Sequence, residues 1–274
     1  MLENKNPRIS VVMPNYNAEK YIAEAIESIL NQSFSDFEFI IIDDGSSDKS
    51  WKIIQEYTKK DKRIVAIKNE KNLKICKTLN KGIELARGEY IARMDSDDIS
   101  HPERLEKQVK FLDKNLEVGI VGANIDMIDE DGKVYSKRKY HFNDSEIRKY
   151  IFRYSPFCHP VVMIRKSILE KSRNYDPDLV YAEDYDLYFR IGMYSKFANL
   201  NESLIKYRMF ENNSTTKKLK QMEKCTLFIR KKAEKKYGYK MTLLDRIYYY
   251  LQCISMFIIP RKLKIWLFNL LRNS

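Results

Sequence analysis

The chain has 274 residues, of which 44% are hydrophobic and 32% are charged, a composition that supplies an apolar core and excludes an intrinsically disordered chain. The net charge of +12 lies in the C-terminal part, because 15 basic and three acidic residues occur from Lys217 onward and the first 216 residues are neutral overall. This distribution argues against an extended nucleic-acid-binding surface on the body and favours a tail that contacts something anionic.

The first 125 residues alternate between short runs of β-branched residues and helical patterns. The runs predict strands at 9–13, 37–43, 64–68, 90–94 and 120–123. This alternation is typical of a βαβ series with a parallel sheet. Apolar residues recur at helical spacing within 21–30, so one face of that helix should be buried. Ser100 and Glu103 have the spacing of a capping box before a predicted helix over 102–115.

The pattern becomes antiparallel after the fifth predicted strand. Asp131 and Gly132 predict a turn between strands at 125–128 and 134–140. Further short elements are predicted at 161–164, 184–194 and 204–208, followed by a long basic helix over 217–237. From Leu243 onward, two amphipathic stretches flank Pro260.

Membrane-spanning and secretory patterns are not found in the sequence. The longest uncharged run, 247–260, has 14 residues, fewer than the about 20 that a helix needs to cross a bilayer. The N-terminal residues are polar and lead directly into the first strand, without the apolar stretch of a secretory leader. Four widely spaced cysteines indicate neither a zinc site nor a disulfide framework. We therefore expect a cytoplasmic location.

Acidic residues directly follow two of the predicted strands. Asp44 directly follows the strand predicted at 37–43, and Asp95, Asp97 and Asp98 follow the strand predicted at 90–94. The carboxyl ends of parallel strands form the edge where ligands bind in open α/β sheets. Three carboxylates within four residues repel one another unless a cation lies among them, and such oxygen ligands suit Mg²⁺ or Mn²⁺. A solvated acidic turn before a helix is the alternative interpretation.

The first predicted strand leads into Pro14, Tyr16 and Asn17 at the same edge of the sheet. The Tyr16 ring could stack on a nucleobase, and Asp44 could accept hydrogen bonds from a base edge. A half-buried loop tyrosine is an equally good interpretation of Tyr16. The sequence has neither the glycine-rich dinucleotide-binding motif nor the P-loop motif, so phosphate would have to be held by metal.

Three segments together resemble family 2 glycosyltransferases with the GT-A fold of nucleotide-diphospho-sugar transferases. They are residues 9–50, which begin ISVVMPNYN and include IIIDDGSSD, residues 79–108 with YIARMDSDDISHPERLEKQ, and residues 182–190 with AEDYDLYFR. Their order and spacing match those of the family. The resemblance implies an α/β fold with a Rossmann-like, mostly parallel sheet flanked by helices and a small antiparallel acceptor-side region. The sequence after this region adds a C-terminal amphipathic helical tail.

The resemblance and the change in sequence pattern near residue 215 together divide the chain. A catalytic domain is expected over residues 1–215, with a nucleotide-sugar half over 1–125 and an acceptor half over 126–215. The remaining residues, 216–274, would form a basic, amphipathic tail that associates with a membrane surface.

The implied reaction is a metal-dependent, inverting transfer of a sugar from a nucleoside diphosphate donor, most often a UDP-sugar. Carried over by position, the residues that bind the nucleotide-sugar are Pro14, Tyr16, Asn17, Asp44, Asp95 and Asp97. Asp97 and Asp98 would hold the Mn²⁺ or Mg²⁺ ion. Asp184 would be the catalytic base with Glu183 beside it, and an ordinary cluster of acids at a helix N-terminus, which includes Asp186, is the alternative.

The expected role is synthesis of a cell-surface polysaccharide or glycolipid on the inner face of the cell membrane. The expected partners are a nucleotide-sugar donor, a saccharide or lipid-linked acceptor and an anionic membrane surface, without nucleic acid. A helix pair that packs on the catalytic domain or forms a homo-oligomer is the alternative for the tail. Two other functions stay open: a sugar-phosphate nucleotidyltransferase, which should show a glycine-rich phosphate loop after the first strand, and a non-catalytic basic protein that binds membranes or anionic polymers.

Overall fold

The computed structural model describes residues 6–210, 219–259 and 263. In these residues the strands are β1 (Ile9–Asn15), β2 (Phe37–Asp43), β3 (Ile64–Lys68), β4 (Tyr90–Arg93), β5 (Ile99–Ser100), β6 (Val118–Ile128), β7 (Val134–Arg138), β8 (Met163–Arg165) and β9 (Lys196–Arg208). The strands form one sheet in the order β3-β2-β1-β4-β8-β6-β9-β5, and β7 pairs with β6.

Helices cover both faces of this sheet. They are α1 (Ile22–Leu30), α2 (Ser50–Lys60), α3 (Ile75–Leu85), α4 (Arg104–Lys114), α5 (Asp144–Tyr150), α6 (Lys166–Lys171), α7 (Glu183–Ile191), α8 (Leu219–Lys236) and α9 (Leu243–Ile258). A single 3₁₀ turn, His159–Val161, precedes β8.

The first half of the sheet is parallel, as the alternating pattern predicts. β2 pairs with β1 and β3, and β1 pairs with β4, all in parallel. Val11 and Phe39 pack into the core on one face, and Val12 and Ile40 pack into the core on the other. This burial on both faces explains the nearly continuous apolar runs. The carboxyl ends of β1, β2 and β4 consequently meet at one edge.

The second half mixes both directions. β8 is antiparallel to β4 and β6, whereas β9 is parallel to β6 and antiparallel to the two-residue β5. The predicted hairpin is confirmed: β6 and β7 pair in antiparallel fashion, and Gly132 has a φ of +84° in the turn between them.

The predicted capping box before α4 is wrong, although the helix itself is present. α4 begins at Arg104, and its N-cap residue, Glu103, makes no side-chain cap hydrogen bond. Ser100 instead belongs to β5, where its hydroxyl accepts a hydrogen bond from Gln32 Nε2 at 3.2 Å. The pairing of β5 with β9 therefore removes Ser100 from the capping position.

The C-terminal helices pack against the body. Arg230 of α8 is 2% exposed, and its guanidinium donates hydrogen bonds to the Tyr185 hydroxyl and to the Arg153 carbonyl. Asp245 of α9 forms an ion pair of 2.9 Å with Arg153. Part of the basic tail is therefore buried against residues of the body that precede it in the chain.

Part of the predicted tail lies outside the described residues. This applies to the first two residues of the predicted basic helix, 217–218, and to the second amphipathic stretch after Pro260, apart from Leu263. Within the ranges that the structure describes, every helix is too short or too polar to cross a membrane.

Candidate active site

A rigid turn follows β2 at the ligand-binding edge. The buried Asp43 carboxylate accepts hydrogen bonds from Asn15 Nδ2 at 2.7 Å and from the Ser46 hydroxyl at 2.5 Å. Asn15 is the last residue of β1, so these contacts tie the ends of the two strands together. Asp43 thus has a structural role.

Asp44, the next residue, holds a neighbouring loop. Its carboxylate accepts hydrogen bonds from Asn69 Nδ2 at 2.8 Å and from the backbone amides of Leu73 and Lys74 at 2.8 and 3.0 Å. The loop comes so close that a Cβ on Gly45 would lie 2.9 Å from the Lys71 carbonyl carbon. The predicted contact of Asp44 with a base stays a prediction, and this carboxylate already has three donors within the chain.

The residues after β1 expose an aromatic ring beside this turn. Tyr16 is 52% exposed. Asn17 adopts a φ of +51°, and its side-chain oxygen accepts a hydrogen bond from the Ser47 amide at 2.9 Å. Pro14 is buried within β1 opposite Ile42. An exposed ring on a fixed turn can offer a flat face to a nucleobase.

The structure brings the three predicted metal ligands together. Carboxylate oxygens of Asp95, Asp97 and Asp98 lie within 4.8 Å of one another. Burial and the neighbouring Asp95 carboxylate raise the pKa of Asp97 to about 7, and burial and the Asp97 carboxylate raise the pKa of Asp98 well above its usual value. One oxygen of the buried Asp98 has no hydrogen-bond partner. Crowded oxygen ligands with an unsatisfied buried atom fit a hard divalent cation.

Arg208, at the end of β9, fixes the backbone of this acid cluster. Its amide donates to Asp98 Oδ1 at 2.8 Å, and its Nε donates to the Asp97 carbonyl at 2.9 Å. Its Nη2 reaches Glu24 of α1 at 2.6 Å. Sequence reasoning missed this residue, because nothing in its local pattern indicates contact with the acids.

Arg93, the last residue of β4, supplies a buried positive charge beside the cluster. Its Nη1 lies 2.5 Å from Asp95 Oδ2, and its side chain is 7% exposed. Arg93 also opposes the rise in pKa that burial causes at Glu183 and Asp184. Arg93 therefore links the acid cluster electrostatically to the acids at the start of α7. It lies inside the matched segment YIARMDSDD, but sequence reasoning gave it no role.

A second buried arginine holds the strand end that carries Arg93. Arg104 of α4 donates from Nη2 to the Arg93 carbonyl at 2.6 Å and from Nε to Gln108 Oε1 at 3.1 Å. Gln108 in turn donates to the Val161 carbonyl at 2.6 Å. Complete burial and the nearby Arg93 guanidinium lower the pKa of Arg104 to about 9. Arg104 and Gln108 of the segment HPERLEKQ thus hold the end of the strand that carries Arg93.

Glu183 and Asp184 begin α7 and are partly open to solvent. Ala182 before them has a left-handed φ of +56° and offers no side-chain cap. Burial and the adjacent Asp184 carboxylate raise the pKa of Glu183 to about 7, and burial also raises the pKa of Asp184. A carboxylate whose pKa lies near neutrality can accept a proton at physiological pH.

The structure separates Asp186 from these two acids. Its carboxylate is fully buried and forms ion pairs of 2.8 Å with Arg190 and 2.9 Å with Lys232. His159, whose pKa burial lowers well below its usual value, lies 2.7 Å from the Tyr175 hydroxyl through Nε2. Asp186 and His159 therefore have partners within the fold, whereas Glu183 and Asp184 are partly open to solvent.

The sequence matches the family model described as Glycosyl transferase family 2 over residues 10–173. It is 38% identical over 265 residues to an uncharacterized glycosyltransferase of Methanocaldococcus jannaschii, an alignment that covers 94% of this chain and 90% of that protein. It is 36% identical to the O-antigen biosynthesis glycosyltransferase WbnJ of Escherichia coli, over 80% of this chain and 86% of that protein.

Solved structures share the fold at lower identity. S. aureus TarS 1–349 in complex with UDP-GlcNAc has a TM-score of 0.66 at 20% identity, and the match covers 81% of this chain and 66% of that one, just under two thirds. The mannosyltransferase PcManGT from Pyrobaculum calidifontis, solved with GDP-Man and Mn²⁺, has a TM-score of 0.63 at 15% identity over 96% of this chain and 84% of that one. These likenesses confirm the expected GT-A fold. With the family model matching more than half of its length, the chain belongs to glycosyl transferase family 2 and is a glycosyltransferase.

Proposed function

We propose that this glycosyltransferase moves a sugar, with inversion at the anomeric carbon, from a uridine diphosphate donor to a hydroxyl of a saccharide or lipid-linked acceptor. One observation carries the proposal. It is the crowding of the Asp95, Asp97 and Asp98 carboxylates, whose oxygens lie within 4.8 Å of one another, with one buried oxygen of Asp98 unpartnered.

The acid cluster is the proposed site for a divalent cation. Asp97 and Asp98 would hold Mn²⁺ or Mg²⁺, and Asp95, with Asp97, would contact the nucleotide-sugar. A bound divalent cation acts as a Lewis acid and stabilises the negative charge that develops on a departing diphosphate. The unsatisfied oxygen of Asp98 supports this assignment, as does the Mn²⁺ named with PcManGT.

Asp184 is the proposed general base, with Glu183 as its neighbour. In an inverting transfer the acceptor hydroxyl attacks the anomeric carbon from the face opposite the diphosphate, and its proton must pass to a carboxylate on that side. A raised pKa suits this role, because a stronger base takes the proton more readily. The left-handed Ala182 supports it too, since strained backbone concentrates at functional sites.

The donor's base would lie against the turn after β1. Tyr16 would stack on uracil, while Pro14, Asn17 and Asp44 would shape the pocket around it. The UDP-GlcNAc bound to S. aureus TarS supports the choice of uridine.

The proposed role is assembly of a cell-surface polysaccharide or glycolipid. It is supported by relatives described as O-antigen biosynthesis WbnJ of Escherichia coli and amylovoran biosynthesis AmsE of Erwinia amylovora. The proposed division stays at residues 1–125, 126–215 and 216–274, and α8 contacts Tyr185 and Asp186 of the proposed acceptor half.

Calorimetry tests the donor site. UDP should bind the wild-type protein with Mn²⁺ and not with chelator, and Asp97→Ala should abolish the metal-dependent binding because the ion loses a ligand. Asp36→Ala, which removes an exposed carboxylate elsewhere, should bind normally. Undiminished UDP affinity in chelator or in Asp97→Ala would overturn the metal assignment.

A reaction screen tests the transfer itself. A panel of nucleotide-sugars should show cation-dependent release of nucleoside diphosphate that increases with a suitable acceptor. A nucleotidyltransferase would instead release pyrophosphate from UTP and a sugar 1-phosphate, an outcome that the missing glycine-rich phosphate loop argues against. Pyrophosphate release without any sugar transfer would contradict the proposal.

A further inference from the structure

Helix α9 turns its apolar side away from the body. One set of large apolar side chains is between 47% and 79% exposed, and it recurs at the spacing of a single helix face. We call this set the α9 stripe; its members are Leu243, Leu244, Ile247, Tyr250, Leu251, Ile254, Phe257 and Ile258. The opposite face is the one that packs inward, through the buried Asp245 and Tyr249.

Exposed basic residues accompany the α9 stripe on the two C-terminal helices, and Lys220 Nζ of α8 lies 5.6 Å from the ring centre of Phe257. Across the described residues of α8, α9 and the connection between them, every exposed charged side chain is basic: Lys220, Lys224, Lys231, Lys235, Lys236, Lys240 and Arg246. The acidic residues there, Glu223, Glu234 and Asp245, are partly or fully buried, and Glu234 pairs with Arg246 and Asp245 with Arg153. The surface is therefore apolar and cationic without an exposed carboxylate.

We infer that the α9 stripe docks in the plane of an anionic lipid surface, with the cations of α8 and α9 against the lipid headgroups. An amphipathic helix with an apolar face and basic flanks is the kind that lies in a membrane interface. α9 has 16 residues, which makes it about 24 Å long and too short to span a bilayer. This inference rests on the surface alone and is independent of the proposed donor chemistry.

Charge favours lipid over a second copy of the chain. Two copies joined through the α9 stripe would bring two sets of exposed cations together without an exposed carboxylate to pair with them. Anionic headgroups satisfy the cations while the acyl region receives the apolar side chains. The sequence after the described part of α9 extends this pattern, since residues 260–274 contain four basic residues and no acidic one.

Contacts of α8 with both α9 and α7 connect the α9 stripe to the rest of the enzyme. Arg230 Nη1 of α8 donates to Gln252 Oε1 of α9 at 2.6 Å, and Lys232 of α8 pairs with Asp186 of α7. α7 carries Glu183 and Asp184 at its start. A membrane that binds the α9 stripe would consequently be linked through α8 to the helix that carries Glu183 and Asp184.

Vesicle flotation with the full chain tests this docking. Wild-type protein should float with vesicles rich in phosphatidylglycerol and much less with phosphatidylcholine alone. The variant Ile247→Glu/Leu251→Glu/Ile254→Glu should lose flotation. The matched control, Val65→Glu/Leu85→Glu/Leu116→Glu, changes three exposed apolar residues of the catalytic body and adds the same charge, so it should float like the wild type. Melting curves and UDP binding of both variants verify that they are folded.

A second arm tests the cations. Lys224→Gln/Lys231→Gln/Lys235→Gln keeps the α9 stripe, and it should lower partitioning onto phosphatidylglycerol vesicles by up to about fivefold per lysine removed. Equal flotation of the stripe variant and the wild type, or none with the wild type, would overturn the inference. A wild-type dimer in lipid-free ultracentrifugation that becomes monomeric in the stripe variant, without flotation, would overturn it in favour of a second copy. UDP release by a protein that does not float would separate this failure from a failure of the proposed reaction.

Discussion

At the scale of single residues, Glu183 and Asp184 share the start of α7 but differ in their contacts. Asp184 Oδ1 accepts a hydrogen bond from the Tyr185 amide at 2.7 Å, and this contact fixes the orientation of its carboxylate. Burial raises the pKa of both acids, yet their carboxylates stay partly open to solvent. A fixed, accessible carboxylate with a raised pKa is suited to take a proton from a bound hydroxyl.

The variant Asp184→Asn should keep donor affinity and lose turnover. The amide preserves the shape of the side chain but cannot accept the proton, so we expect kcat to fall by about 10²- to 10⁴-fold. Calorimetry with UDP and rate measurements with saturating donor separate the two effects, and Asp36→Asn is the control at an exposed position. An active Asp184→Asn together with an inactive Glu183→Gln would move the base to Glu183.

The pH dependence of kcat/KM should report the ionisation of Glu183 and Asp184. Because the base must be ionised to accept a proton and burial raises the pKa of both Asp184 and Glu183, kcat/KM should fall with decreasing pH at values above those usual for a carboxylate. Arg93 opposes this rise in pKa, so Arg93→Met should move the rising limb to higher pH, whereas the exposed Lys62→Met should leave it in place. Rates of the three proteins from pH 5 to 9 test this expectation; a limb that does not move in Arg93→Met would contradict it.

At the scale of elements, α8 supports α7 through a buried ionic network. Lys232 Nζ lies 2.9 Å from Asp186 Oδ1 and 3.2 Å from Asp176, and the Tyr237 hydroxyl also donates to Asp186. Arg190 holds the second oxygen of Asp186. The carboxylate is fully buried, so each of these donors compensates part of its lost hydration.

Lys232→Met should lower the free energy of unfolding by roughly 1 to 3 kcal/mol, since Arg190 and Tyr237 still partner the Asp186 carboxylate. Urea unfolding measures this change. Lys235→Met, on the exposed side of the same helix, should change stability by less than about 0.5 kcal/mol. A Lys232→Met protein as stable as Lys235→Met would show that the network contributes nothing measurable.

The sequence predicted elements well where their signal is local. β1 to β4 are marked by β-branched runs, and their order along the chain indicates the parallel sheet. β5 is too short to show any periodicity, and its pairing with β9 defeated the prediction of a capping box at Ser100. Local residue spacing indicates which secondary structure a segment can form, whereas pairing with a distant strand determines which structure it adopts in the fold.

At the scale of the whole molecule, the sequence predicts the site residues that are close together in the chain. It does not predict the residues that reach the site from distant positions. Asp95, Asp97 and Asp98 are adjacent in sequence, so their grouping could be predicted from the strand before them. Arg208 reaches them across a separation of 110 residues. The buried Arg230 and the partly buried Lys232 resemble the exposed lysines of α8 in sequence, and only their distant partners distinguish them.

The contact between Arg208 and the acid cluster also sets an order of events during protein synthesis. Asp98 leaves the ribosome 110 residues before Arg208, whose amide hydrogen-bonds its carboxylate and whose Nε hydrogen-bonds the Asp97 carbonyl. At roughly 5 to 20 residues per second, the acids wait on the order of 5 to 20 seconds for this partner. A nascent chain can build its parallel strands in that interval, but the acid loop is still without the strand that fixes it. Incomplete chains released before β9 would therefore carry the three acids in a loop that lacks both of these hydrogen bonds.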